Sequence, residues 1–302
     1  MSAARMSSAS GKHLNTAILL LVAGNFMAII ADVIVKIMGS DAPVFQHMFV
    51  RTLIIIALLS TLYRQLDWQT PLSGVGFHLL RAMFNVIGMF AIITALTLLP
   101  LATANAVFYL APILVMLLAV VLFKERLTRW SLLAVVSGFL GVIVILRPVE
   151  LGWGALAALA GAWALAFNAV LVRKLPKHQS TVHKLMMSNL LALPIISALF
   201  VWEFVTGDTG WHRGAILAAA GSSVFVMAYS TSVLKAYKTV DANQVTSAEY
   251  TGLIWAALIG WIWFAEVPDL WFVAGSAMIV IPLVLLSLQQ NRQRGRLNKT
   301  PA

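Results

Sequence analysis

The sequence predicts an all-α polytopic membrane protein: ten transmembrane helices forming two inverted five-helix repeats, with both termini cytoplasmic. Three observations carry that expectation. Of the 302 residues, 61% are hydrophobic and 11% charged, against roughly 25% charged in a soluble domain, so the apolar surface needs a bilayer. The apolar residues come in continuous runs rather than alternating ones, which favours helices over barrel strands. One charged-aromatic motif, F-x-E-x4-W, occurs twice, as Phe123-Lys124-Glu125 with Trp130 and as Phe264-Ala265-Glu266 with Trp271.

A hydrocarbon core about 30 Å thick takes about 20 residues of helix. Runs of that order are Leu14–Met38, Val44–Tyr63, Phe77–Leu98, Ala102–Phe123, Arg129–Leu146, Trp153–Val172, Val182–Phe204, Arg213–Leu234, Ala242–Phe264 and Leu270–Leu288. Breaker residues separate them: Gly39 to Pro43, Pro71 to Gly76, Pro100, Pro148 to Gly152, Pro176, Gly207 to Gly210 and Pro268. The first run competes with a signal peptide. It is too long for an h-region, contains Asp32 and lacks a small-x-small cleavage site, so a first transmembrane helix is expected. Residues 1–13 then form a cytoplasmic tail, 14–146 and 152–288 the two repeats, and 289–302 a basic, frayed cytoplasmic tail.

The motif copies lie 141 residues apart, and at that offset Ala95/Ala236, Tyr109/Tyr250, Ile113/Ile254 and Leu117/Leu258 also match. Five helices per copy is an odd number, so the second copy must enter the bilayer upside down. Charge agrees. With both termini inside, seventeen Lys and Arg residues fall on cytoplasmic segments and three (Lys36, Arg147, Arg213) on outer ones, with Arg51 inside a helix. The net charge of +10 therefore reads as topogenic rather than as a sign of nucleic acid. The chain has no cysteine, which excludes disulfides and thiolate metal sites.

The stretch from Ala95 to Ala104, then Ala111-Pro112, Phe123-Lys124-Glu125, Gly138 and Gly141, resembles the EamA domain of the drug/metabolite transporter superfamily. So does Glu249 to Gly260, running on to Glu266, and Pro43, Phe45 and Arg51 fit the same family's proline-then-arginine pattern. The resemblance covers Leu14 to Leu288 and is greatest to bacterial amino-acid exporters of the aromatic-amino-acid efflux type. It implies a carrier in the bacterial inner membrane that moves small metabolites, best amino acids, outward by alternating access through a central cavity. The alternative it leaves is an importer of riboflavin, S-adenosylmethionine or purines. One departure stands out: Leu253 occupies the place that Pro112 holds in the first copy, so the two helices should bend unequally.

Ionisable groups inside a membrane are costly and mark protein or water contacts. Asp32 and Lys36 share a helix face at i, i+4 and can pair; His47 and Arg51 repeat that spacing. These four are gating or structural charges. Arg51 either binds helix-end carbonyls or meets a substrate carboxylate. Glu249 is a coupling or binding carboxyl, or a partner for Arg81. Glu125 and Glu266 cap and orient the helices that follow them. Near mid-depth, Asn25, Phe84, Asn85, Asn105, Tyr109, Trp163, Asn168, Ser223 and Tyr250 supply a few polar groups among apolar ones, which suits a zwitterion with an apolar side chain. Buried amides also tie helices together. Gly24, Gly88, Pro112 and Gly161 are candidate hinges. Gly138 and Gly141 allow close helix approach, within the chain or along a homodimer seam. His178 and His183 read as loop-surface residues. No H-E-x-x-H, P-loop, G-x-G-x-x-G or C-x-x-C occurs, so no cofactor or metal is expected. An intramembrane lipid enzyme would need a nucleophile-base pair or metal triad at one depth, and an assembly protein would not need an inverted duplication.

Overall fold

The computed structural model describes residues 2–125, 128–147, 152–207, 210–239 and 248–297, with side chains from residue 14 to 289 apart from 237–239. Among the described residues the regular secondary structure is all helical, without strands. The helices are α1 (Ser2–Met38), α2 (Val44–Ser60), α3 (Val75–Leu98), α4 (Leu101–Phe108), α5 (Ala111–Phe123), α6 (Arg129–Leu146), α7 (Trp153–Leu171), α8 (Thr181–Thr206), α9 (Arg213–Thr239), α10 (Thr251–Phe264) and α11 (Leu270–Leu297). Eight stretches are long and apolar enough to cross a membrane, α4 and α5 counting as one; α2 and α10 are apolar but shorter.

Most helix ends fall within two or three residues of the expected ones. α1 instead begins at Ser2, twelve residues before the expected Leu14, so the expected N-terminal tail is helical from that residue, and α9 runs five residues further, to Thr239. Three other ends or runs also differ. The fourth run does not form one helix: Pro112 has no N–H to offer the Phe108 carbonyl and its ring crowds that turn, and the chain breaks at Tyr109–Leu110. The ninth run breaks at the matching Tyr250 although no proline is present, so the interruption belongs to both copies; its residues 242–247 lie outside those described. The tail expected to fray instead continues α11 to Leu297.

The chain divides into two compact units, one of Met1–Ala31, Leu127–Ile145 and Val224–Ala302, the other of Asp32–Arg126 and Leu146–Ser223. In the first unit, Ala17 and Leu21 of α1 pack with Ala236 and Ala248, and a Cβ on Gly24 would stand 3.0 Å from that of Ser232. Small residues bring these backbones together, since lipid supplies no hydrophobic drive between helices. α6 and α11 cross in the same unit. The Ser137 hydroxyl donates to the Met278 carbonyl at 2.7 Å. A Cβ on Gly141 would lie 2.6 Å from the Gly275 carbonyl, and one on Gly275 would lie 2.5 Å from the Gly141 carbonyl and from Ile145 Cγ1. Contacts climb α6 as they descend α11, so the pair is antiparallel. Gly141 is thus spent on a helix contact inside the chain.

The second unit is built on α3 against α7 and α2 against α8. Gly88 lets α3 approach Ala164, and Gly161 admits Ile92 and Phe108, so these two candidate hinges sit at close helix contacts within unbroken helices. Phe49 and Phe200 stack at 4.7 Å, Phe45 and Phe90 at 5.5 Å. Glu203 of α8 takes the N–H groups of Phe45 (3.1 Å) and Gln46 (2.7 Å), satisfying orphan donors at the start of α2, where Pro43 offers no side-chain cap.

Two helix junctions repeat at the 141-residue interval. α5 and α10 end in left-handed residues, Lys124 and Ala265, and the next N–H groups, of Glu125 and Glu266, turn back onto Ala119 and Gly260. The helices that follow are capped by Thr128 (from Ser131 N–H, 3.1 Å) and Asp269 (from Phe272 N–H, 2.7 Å), a capping role expected of the two glutamates. Glu125 instead pairs with Arg173, whose guanidinium lies 4.3 Å from the Phe123 ring centroid.

Candidate functional site

Within the first unit the polar centre is the break at Tyr250. An interrupted helix leaves carbonyls without donors. Here Asn25 Nδ2 of α1 donates to the carbonyls of Ala248 (3.0 Å) and Glu249 (2.9 Å) and reaches Thr251 Oγ1 at 3.2 Å. The Thr251 hydroxyl itself donates to Ala248 at 2.6 Å. Side-chain donors thus satisfy carbonyls at a break that no proline imposes. Phe26, next to Asn25, meets Trp255 edge-on at 5.2 Å. Asn25, Glu249 and Tyr250 are therefore gathered at one break, with the Asn25 amide holding backbone.

In the second unit the charged candidates of α1 and α2 come together. Asp32 accepts from Asn105 Nδ2 at 3.1 Å, and Asn105 also donates to the Leu101 carbonyl of its own helix. Arg51 lies close enough to Asp32 for the two charges to interact. Among the described residues Arg51 makes no hydrogen bond, and its Nε is buried without a partner, as are both His47 ring nitrogens and the Thr52 hydroxyl. The carbonyl-bound arginine expected on architectural grounds is not what the structure contains. Lys36 does bind carbonyls: its ammonium donates to Leu99 at 2.6 Å, at the C-terminal end of α3.

Toward the other end of the same unit, α3 and α7 face each other with aromatic and amide groups. Phe84 and Phe167 stack in parallel at 4.4 Å, 5° apart, and Trp163 leans on Phe167 at 5.8 Å. Asn168 Oδ1 accepts from Arg81 Nη2 (2.8 Å) and Nε (3.1 Å), and its amide returns a bond to the Arg81 carbonyl at 3.4 Å. Arg81 thus binds an amide. Asn85 is half-buried. Ser223 spends its hydroxyl on the Ala219 carbonyl at 2.6 Å. Tyr109 closes α4.

Sequence reasoning placed His183 on a loop surface, but it is buried. Its Nδ1 accepts from Asp67 N–H at 3.2 Å, leaving Nε2 to donate to the Pro71 carbonyl. Asp67 also meets the exposed His178 at 3.1 Å, so two connecting segments are pinned together outside the helices. The roles of Asn25 and Glu203 also escaped sequence reasoning. Each acts on backbone more than 150 residues away, which no local pattern records.

Comparison with known proteins fits this architecture. The model of the EamA-like transporter family matches twice, at residues 15–147 and 152–288. A pseudopaline exporter, CntI, of Pseudomonas aeruginosa strain UCBPP-PA14 is 27% identical over 284 residues, covering 91% of this chain and 96% of the relative. An S-adenosylmethionine uptake transporter of Rickettsia prowazekii is 26% identical, covering 87% and 89%. A riboflavin transporter of Vibrio cholerae is 26% identical, covering 80% and 81%. A solved crystal structure covers 95% of this chain and 99% of its own, with a TM-score of 0.55 at 20% identity, a likeness of fold. The apolar helices and these relatives make the protein a multi-pass inner-membrane transporter of small molecules. With both halves matched by the family model, the chain belongs to the EamA-like transporter family.

Proposed function

We propose that this protein exports small metabolites, amino acids first, by alternating access through two inverted five-helix repeats, residues 14–146 and 152–288, with both termini cytoplasmic. The observation that carries the substrate class is Arg51. Its guanidinium forms no hydrogen bond among the described residues, yet it stands beside Asp32, itself held by Asn105. A half-buried cation with an open, buried Nε donor and a neighbouring carboxylate suit a zwitterion: the cargo's carboxylate takes the Arg51 fork and its ammonium takes Asp32. The aromatic residues Phe84, Phe167 and Trp163 suit an apolar side chain.

The inverted arrangement is supported by α6 and α11. They occupy equivalent places in the two copies, run antiparallel, and meet at Ser137 and Met278. Equivalent helices of opposite direction are what an upside-down copy requires. Similarity to a named exporter supports outward transport. The parallel Phe84/Phe167 stack, with relatives named for S-adenosylmethionine and riboflavin, favours a second reading, uptake of a larger planar metabolite.

Counterflow in proteoliposomes with labelled amino acids, riboflavin and S-adenosylmethionine tests both. Amino-acid exchange that Arg51→Ala abolishes, although the variant still reaches the membrane at a substantial level, is the expected result. Exchange of riboflavin or S-adenosylmethionine alone transfers the protein to the second reading, and exchange of none overturns both.

A further inference from the structure

Three cations and one acid meet where α5 and α7 end. The Arg173 guanidinium lies 4.3 Å from the Phe123 ring centroid, and the Lys174 ammonium lies 4.8 Å from the same point. Lys124 forms the left-handed turn that follows Phe123. Glu125 pairs with Arg173. Among the described residues no ion pair joins Lys124 or Lys174 to an acid. Two cations beside one ring repel each other, and an exposed phenyl face offsets little of that. A phosphate between them would offset far more.

The cluster is more than a sign of orientation. A cation that only sets topology needs the right side of the membrane, not a fixed seat. Arg173 and Lys174 are both seated on Phe123, at the 3-10 turn Val172–Lys174 that closes α7. Nor does the turn after α5 require a lysine. The second copy makes the same left-handed turn with Ala265.

The surface leading to these cations is aliphatic. Leu165, Ala169 and Val172 follow the i, i+4, i+7 spacing of one helix face, all three are exposed, and the stripe ends at Arg173. On α5, which packs against α7, Val121 and Leu122 are exposed just before Phe123. A free phosphate would leave the stripe unused, and a neutral lipid would leave the cations unused.

We infer that the joined ends of α5 and α7 are a docking site for one anionic phospholipid. Its phosphate sits between Lys124 and Lys174 beside the Phe123 ring, and an acyl chain lies along Leu165, Ala169 and Val172. Glu125 tempers the site by occupying Arg173. The inference is independent of which cargo the protein carries.

Dioleoyl phosphatidylglycerol and dioleoyl phosphatidylcholine are titrated separately into the purified full chain, and the one-lipid complex is read by native mass spectrometry. Wild type should prefer phosphatidylglycerol by at least about five-fold, the factor one interfacial cation supplies. Lys124→Gln and Lys174→Gln should each lower phosphatidylglycerol affinity about five-fold and leave phosphatidylcholine unchanged. Glu125→Gln should raise phosphatidylglycerol affinity, because it frees Arg173. Leu165→Gln should weaken both lipids. Arg64→Gln, an exposed cation stacked on its own neighbour Tyr63, should change neither. Equal binding of the two lipids by wild type overturns the site. So does a loss in Arg64→Gln as large as in Lys174→Gln, which would mean a diffuse basic face, or a weaker complex in Glu125→Gln. Displacement of phosphatidylglycerol by inorganic phosphate at the lipid's own concentration would make the site one for free phosphate and overturn it too. All these substitutions but Leu165→Gln exchange exposed charged groups outside the helix cores, and an unchanged melting temperature certifies the fold.

Discussion

Ser137 donates its hydroxyl hydrogen bond to the carbonyl of Met278, and the two residues are separated by the same 141 positions as the two F-x-E-x4-W motifs. In the inverted arrangement proposed above, a residue that contacts its own counterpart in the other copy would lie beside the axis relating the copies. The paired glycines close to this contact set how near α6 and α11 come.

Gly275→Leu should therefore destabilise the protein. Its Cβ would fall 2.5 Å from a backbone carbonyl, which cannot swing aside as a side chain can. Overpacking of this kind costs about 1–3 kcal/mol. A lower melting temperature in detergent, with no matching loss for the outward-facing Leu133→Ala, is the expected pattern.

The duplication and the helix ends could be read from the sequence because apolar runs and breakers are local signals. The partners of buried polar groups could not. Nothing near Tyr250 announces a break, since the donor that stabilises it sits at Asn25. The spacing of Asp32 and Lys36 points to an ion pair, yet the structure gives Asp32 the Asn105 amide and Lys36 the end of α3. Glutamates of a repeated motif look like caps, but Thr128 and Asp269, three residues further on, reach the free N–H groups.

Asn25→Leu should expose that hidden dependence. It removes the Asn25 bonds to the Ala248 and Glu249 carbonyls, of which Ala248 keeps the Thr251 hydroxyl, at about 0.5–1.5 kcal/mol for a lost hydrogen bond. Faster amide exchange confined to residues 251–254 would report the loosened break. Uniform exchange across the chain would assign Asn25 a general packing role instead.

Glu203→Gln should weaken the entry to α2. One carboxylate now accepts two N–H groups, and an amide offers a single, uncharged oxygen. Loss of an N-terminal cap costs about 1 kcal/mol. The expected readout is a lower melting temperature, partly restored in Glu203→Asp if the shorter acid still spans the gap.

Outside the helices, the Thr70 hydroxyl and N–H, followed by the Gln69 N–H and the nearby His178, hold the Asp67 carboxyl below its ordinary value of 3.8. A carboxyl depressed by folding contributes stability above its unfolded value and loses it as pH falls through the folded one. The contribution is therefore complete at neutral pH and disappears only below about pH 3.8. Asp67→Asn should flatten the acid limb of a melting-temperature profile and leave the limb above pH 5 parallel to wild type.

Arg51 separates a structural arginine from one that meets cargo. A structural arginine would hold carbonyls, and its loss would strand them, so Arg51→Ala would reduce abundance. Among the described residues no carbonyl is bonded to it, and its Nε is buried and open. Removing it leaves Asp32 with Asn105 alone, a carboxylate short of its neighbouring cation, and removing both charges relieves that. Arg51→Ala should therefore reach the membrane at a reduced but substantial level and transport nothing. The double variant Asp32→Asn with Arg51→Ala should recover abundance without recovering transport. Abundance that fails to recover in the double variant would return Arg51 to the scaffold.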